Sequence, residues 1–306
     1  MTSIVHGATG AQGAPVLSIL RAGGHPVLGA SRSPRDLPAG VDGAAVDLAD
    51  TAALTRLYRG ASGVFVHLPL GAPEVLGAYA ESIGAAVAKA RPVRVVVSTS
   101  GQVVDAPGSP LQVPDASPIM TLLRRIEAAG VSAAVVAPRL FLENLLLPVV
   151  LDPVITEGTL EYPLPAELPV SWSSHSDVAA VAARLLTDSA FEGTVGVGAL
   201  PGLTGPDLAS GLGAALGREV RYSPITPEEF GARATPLLGA AAVAPVVGLY
   251  RALGNEESHT APEAGSAQAL LGTEPLTVSA WAEQVLGASA LSASSAGPRA
   301  PGTPRG

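Results

Sequence analysis

A chain of 306 residues, 47% hydrophobic and only 14% charged, is long and apolar enough for a large globular core, as one big domain or two intimate ones. Its net charge of -8, with no basic cluster, argues against nucleic acid as a partner, and the absence of cysteine excludes disulfides, thiolate catalysis and cysteine-ligated metals. The histidines (His6, His25, His67, His175, His259) show no metal-ligand spacing. Met1-Thr2-Ser3 offers no basic start for a secretory signal, and the longest apolar run, residues 237 to 250, is too short to span a bilayer and contains Pro245. A soluble cytoplasmic protein without a membrane partner, monomeric or homodimeric, is expected.

Strands are expected at 2–6, 26–31, 44–47, 63–68, 94–100 and 132–138, with helices between them at 11–22, 51–59, 73–90 and 118–129. Short apolar strands alternating with helices indicate a parallel sheet covered on both faces. After residue 140 the rhythm changes. "LFLENLLLPVVLDPVI" reads as a short helix leaving the sheet, followed by a Pro-rich connection and a strand at 168–172. A helix from Ser176 to Thr187 has Asp177 in its first turn, where capping explains the residue. "GTVGVG" and "EVRYSPI" read as strands, with "TGPDLASGLGAALG", "TPEEF" and "TVSAWAEQVLG" marking helices. The small, polar, Pro-rich segment 289–306 is expected to be a disordered tail.

The first turn carries the strongest local signal. In "IVHGATGAQG" an apolar strand runs into Gly7, Gly10 and Gly13 as a helix opens. One glycine would make the tight turn, one would let the backbone approach a pyrophosphate, and one would let helix and strand pack closely. The helix amino terminus then offers N–H groups and partial positive charge. A bare strand-helix turn is the alternative, and "GLGAALG" at 211–217 shows that clustered glycines also occur inside a helix. At the end of the second strand stands Ser31-Arg32-Ser33, with no acid until Asp36. An arginine there suits a 2′-phosphate, so NADP(H) is the expected cofactor; a solvated loop arginine is the bland alternative. Asp47 and Leu48, after the third strand, would border the adenine, or Asp47 would cap the helix from Thr51.

Together "GATGAQG", "ASRSP", "AAVDLADTAALTRLYRGASGVFVHLP", "VVVSTS", "EAAGVSAAVVAPRLFLEN" and "SDVAAVAARLLTD" resemble the NmrA-like branch of atypical short-chain dehydrogenases/reductases, over about residues 3 to 288. The resemblance implies an α/β fold: a Rossmann-type doubly wound parallel sheet with a smaller C-terminal α+β substrate-binding region. The expected division is residues 1–145 for the NADP-binding domain, its sheet completed by later segments, and 146–288 for the smaller region. The resemblance also implies cofactor contacts from Gly7, Thr9, Gly10, Ala11, Gln12 and Gly13, from Ser31, Arg32 and Ser33, and from Asp47 and Leu48. Leu68-Pro69 and Ser98-Thr99-Ser100 match segments passing the ribose and nicotinamide, and Pro138-Arg139-Leu140-Phe141 matches the segment backing the nicotinamide. The family includes quinone and enone reductases, isoflavone-reductase-like enzymes and non-catalytic redox-sensing regulators, so membership does not settle function.

The superfamily's Tyr-x-x-x-Lys pair is impossible here: Lys89 is the sole lysine and Ala85 stands four residues before it. The helix before "AAG" offers only Arg124 and Arg125, which cannot give up a proton near neutral pH. What remains are Ser98, Thr99 and Ser100 at the end of the fifth strand, to polarise a carbonyl or relay a proton, or simply to hold the ribose. His67, ending the fourth strand, would be a proton donor or a buried structural histidine. Asp115, Arg139, Asn144, Tyr162 and His175 are second-rank candidates. The long loop 101–118, with "LLLPVVLDPVI", suggests an apolar pocket for a flat hydrophobic or aromatic substrate. The expected activity is therefore NADPH-dependent reduction of a quinone or conjugated carbonyl, with secondary metabolism as its setting. A non-catalytic NADP-binding sensor and a redox-neutral cyclase or epimerase are the alternatives.

Overall fold

The computed structural model describes residues 1–188 and 190–294. The described residues form two compact units, each discontinuous in sequence: Met1–Leu142 with Val170–Gly202 and His259–Pro275, and Glu143–Pro169 with Leu203–Ser258 and the described residues from Leu276 to Ser294. Up to residue 140 the elements are β1 (Ser3–His6), α1 (Gly13–Ala22), β2 (Val27–Ser31), β3 (Asp42–Ala45), α2 (Thr51–Tyr58), β4 (Gly63–His67), α3 (Pro73–Ala90), β5 (Arg94–Ser98), α4 (Pro118–Ala129) and β6 (Ser132–Pro138). Then follow β7 (Leu140–Phe141), α5 (Pro148–Glu157), β8 (Thr159–Tyr162), β9 (Trp172–Ser173), α6 (His175–Thr187), β10 (Gly193–Val197), α7 (Gly205–Leu216) and β11 (Arg221–Pro224). Last come α8 (Pro227–Leu238), α9 (Ala240–Leu253), α10 (Ala267–Leu271) and α11 (Val278–Ser294).

The first unit is a seven-stranded, wholly parallel sheet in the order β10-β6-β5-β4-β1-β2-β3. From β1 the chain winds outward through β2 and β3, then returns to the opposite side of β1 at β4. This reversal leaves a crevice outside the carboxyl ends of β1 and β4, where open α/β sheets bind ligands. Successive strand residues alternate between the two faces. Ile4, Val64, Val66, Val95 and Val97 pack with Leu54, Tyr58, Ile83 and Leu122 from α2, α3 and α4. Val5, Phe65, Val96, Val136 and Val195 pack with Val16, Leu17 and Leu20 of α1 and Val178, Val181 and Leu185 of α6. Each such side chain stabilises the fold by about 1.5–3 kcal/mol. The sheet is therefore held from both faces, and its carboxyl edge is a rigid platform.

The second unit contains a two-stranded parallel ribbon of β8 and β11, with Tyr162, Phe230 and Tyr250 in edge-to-face or tilted contact. Three departures from the expected elements have local causes. β3 begins and ends two residues early, so Asp47 falls outside it; Asp47 accepts from the Ala49 N–H, and Asp50 caps α2 through Ala53 N. The strand expected at 168–172 shrinks to β9, while β8 sits in the segment expected to be a connection. The apolar stretch 237–250 is broken at Gly239, where φ is +82, and supplies the end of α8 and most of α9. No helix among the described residues is long and apolar enough to cross a membrane. α11 continues to Ser294 past a non-helical Gly287; the rest of the expected tail, 295–306, lies outside the described residues.

Two buried histidines make the fold sensitive to acid. His6 Nε2 meets the Tyr58 hydroxyl at 2.8 Å in the core, and burial, with the nearby His67 second, pushes its pKa to about 3. Burial, then the Arg139 charge, lowers His259 to about 4. Both stay neutral in the fold while their unfolded counterparts begin to charge near 6.5. The unfolded chain then binds more protons, so stability falls as pH drops from 6.5 towards these values, by up to ~1.4 kcal/mol per pH unit for each histidine. Urea denaturation from neutral pH down to about pH 5 should show this decline, and His259→Gln should make it shallower. A flat profile would contradict the burial of both imidazoles in neutral form.

Candidate functional site

The three glycines of the β1–α1 turn are required for different reasons. Gly7 has φ +62, and a Cβ there would lie 2.5 Å from His67 Nε2, so the turn and the imidazole both demand glycine. A Cβ on Gly13 would lie 2.3 and 2.4 Å from the carbonyl oxygens of Gly7 and His6; α1 starts too close to β1 for any side chain. Gly10 differs. A Cβ there would meet only the Gly7 carbonyl, at 3.3 Å, and its N–H donates to that same oxygen at 2.8 Å. The protein itself scarcely forbids a side chain at Gly10, which leaves the open space beside the exposed Thr9, Gly10 and Ala11 for a ligand's approach. The start of α1 has no side-chain cap and no acid in its first turn, so its N–H groups and dipole remain available to an anion. The turn fits a dinucleotide pyrophosphate.

At the end of β2, Ser31 is half-buried with no hydrogen-bond partner for its hydroxyl, and Arg32 and Ser33 are exposed. Leu48 is half-buried and Asp47 exposed. This edge presents a cation and hydroxyls where an acid would select the unphosphorylated ribose.

The carboxyl edge of β5 is tied to the glycine turn through one side chain. Ser98 Oγ donates to Gln12 Oε1 at 2.8 Å and accepts from Ser100 N at 3.2 Å; Gln12 Nε2 donates to Ser100 Oγ at 3.0 Å. The Ser98 proton is thus committed to holding Gln12, whereas Ser100 accepts from Gln12 and keeps its own proton free to donate. Ser100 is half-buried and left-handed, φ +56; Thr99 is fully buried, and its hydroxyl has no hydrogen-bond partner. His67 Nδ1 faces the Leu68 carbonyl at 3.4 Å, which places the ring proton there and leaves Nε2 as a bare acceptor against Gly7. Burial lowers its pKa, and the Leu68 contact only partly opposes this. Burial thus favours the neutral form of His67, with Nε2 turned towards Gly7. Leu68 is buried and Pro69 half-buried.

Past β6, Pro138 and Leu140 are buried, and the half-buried Phe141 ring packs on His175 at 4.7 Å. Asp177 forms a capping box with Ser174 at the start of α6, as expected of it. Asp115 is exposed on the loop. Arg139 is buried and paired with Asp105, a partner 34 residues away that no local pattern announced. In the second unit Tyr162 is fully buried, sharing a 2.5 Å hydrogen bond with Tyr250 and another with Asn144, so it serves that core. A shallow hollow of about 630 Å³ between α7 and β11 is lined by Ser210, Arg218, Arg221 and Tyr222 among others and holds none of the expected site residues.

A parallel sheet with its strand order reversed over a glycine turn defines the class: a dinucleotide-binding α/β protein of the Rossmann type. The NmrA-like family model matches residues 2–268, and the chain belongs to that family. It is 33% identical over 231 residues to an NAD(P)H azoreductase from Xenophilus azovorans, covering 74% of this chain and 78% of that protein. Triphenylmethane reductase from Citrobacter sp. superposes with a TM-score of 0.77 at 18% identity, covering 94% of this chain and 99% of the other. An NADPH-dependent quinone oxidoreductase from Escherichia coli, complexed with NADPH, superposes with a TM-score of 0.72 at 18% identity, covering 94% and 100%.

The glycine geometry separates binding from folding. Gly10→Ala should leave the melting temperature within a few degrees of wild type but weaken dinucleotide binding roughly tenfold or more, because its methyl group enters the ligand's space. Gly13→Ala should instead destabilise the fold by about 1–3 kcal/mol or more, since backbone must move. Thermal melts and calorimetric titration of both variants check this. Equal loss of stability in the two would remove the distinction.

Proposed function

We propose that the chain is an NADP-dependent oxidoreductase that reduces a conjugated acceptor, such as a quinone, enone or azo group, on a hydrophobic or aromatic small molecule. The observation that carries this reading is the open Gly10 flank beside an uncapped α1, joined through Gln12 to a serine with a donatable proton. When bound, NADPH supplies the hydride. The glycine turn would hold the pyrophosphate, and Arg32 with Ser31 and Ser33 would hold the 2′-phosphate. Ser98 and Gln12 fix the turn, and Ser100 donates its proton to the acceptor, backed by water. A conjugated acceptor spreads the charge that arrives with the hydride, so a weak donor suffices and no lysine-assisted tyrosine is needed. The relatives' names, azoreductase, triphenylmethane reductase and quinone oxidoreductase, specify acceptors of this kind.

Loss of NADPH absorbance should be followed across a panel of quinones, enones and azo dyes. Turnover with at least one class is expected; tight NADPH binding with no turnover would favour a non-catalytic sensor. Arg32→Ala should weaken NADPH binding roughly ten- to a hundredfold and leave NADH nearly unchanged, with Ser33→Ala acting the same way but less. Equal loss for both cofactors would break the 2′-phosphate assignment.

A further inference from the structure

Arg139, immediately after β6, is 3% exposed, and its Nη2 donates to both Asp105 carboxylate oxygens, at 2.9 and 3.0 Å. A buried ion pair is a poor way to gain stability, because desolvation offsets much of the attraction and apolar residues often serve as well. The pair joins β6 to the loop that leaves β5, and a second contact joins the same segments. A Cβ on Gly101 would lie 3.0 Å from the Arg139 carbonyl oxygen. Ser100 and Gly101 are consecutive left-handed residues, φ +56 and +89, so the chain turns sharply out of β5 at a conformation that is unfavourable for serine. This turn is tethered on one side by Gln12 and on the other by Arg139. His259, 4% exposed and from a third segment, lies near enough to feel both charges, and its neutral imidazole adds no competing cation.

We propose that Arg139 and Asp105 are positioning residues that anchor the loop after β5 and thereby hold Ser100 in the left-handed conformation that keeps its hydroxyl on Gln12 at the reacting edge. This rests on the reading of Ser100 as proton donor above. Removing the anchor lets Ser100 relax to an ordinary conformation, so its hydroxyl leaves Gln12 while the glycine turn stays intact.

The test uses the full chain as Asp105→Asn, Asp105→Glu, Ser100→Ala and the double variant Asp105→Asn/Ser100→Ala. Asp105→Asn should lower kcat roughly tenfold or more while NADPH affinity stays within about twofold, and Asp105→Glu should recover part of the loss. The double variant should be no slower than Ser100→Ala alone, because both changes disable one device. Amide hydrogen exchange adds a readout independent of turnover: Asp105→Asn should speed exchange across residues 99–113 and leave β1 and β2 unchanged. Additive losses, or exchange that rises equally throughout the first unit or not at all in the loop, would overturn the proposal. If Asp105→Asn does not fold, Arg139→Lys keeps the charge but not the reach of Nη2 to both carboxylate oxygens and is read the same way. Should no acceptor be turned over, the functional reading fails by itself, and loop exchange still decides whether the pair holds the turn.

Discussion

The start of α1 runs so close to the end of β1 that Gly13 has the carbonyls of Gly7 and His6 where a side chain would be. That approach aims the helix amino terminus across the crevice where the strand order reverses. It also brings Gln12 within reach of β5, so one amide joins the glycine turn to Ser98 and Ser100. His67 closes the other flank, its ring resting where Gly7 has no side chain. A larger residue at either glycine would separate the helix, the strand and the imidazole together.

The edge built this way is polar but weak in acid. Burial favours the neutral form of His67; Tyr58, Tyr162 and Tyr250 stand in cores, and Ser100 is the group we propose to move a proton. Weak donors suit acceptors that spread incoming charge, which is why a conjugated acceptor is the one we propose. The buried Arg139 pairs with the half-buried Asp105 and so joins the segment after β6 to the loop after β5.

Much of this could be read from the sequence because the sheet is buried on both faces. Unbroken Val and Ala runs bounded by turn residues left little choice, and α3, α4 and β6 fall on the expected residues. The glycine turn between β1 and α1 was equally legible, since its geometry is local. Contacts between distant segments were not. Asp105 looks like any loop acid, His259 like any late histidine, and Tyr58 like a helix residue until it meets His6. β8 escaped notice because four residues directly after a proline-containing helix carry too short a pattern. The commitment of Ser98 to Gln12, and hence the freedom of Ser100, depends on hydrogen-bond directions that residue types do not encode.

A crystal structure of the chain soaked with NADP⁺ tests the central claim most directly. The pyrophosphate should lie against Gly10 and the first N–H groups of α1, the 2′-phosphate on Arg32, and the nicotinamide within reach of Ser100. A dinucleotide bound elsewhere, or one whose nicotinamide lies far from Ser100, would contradict it.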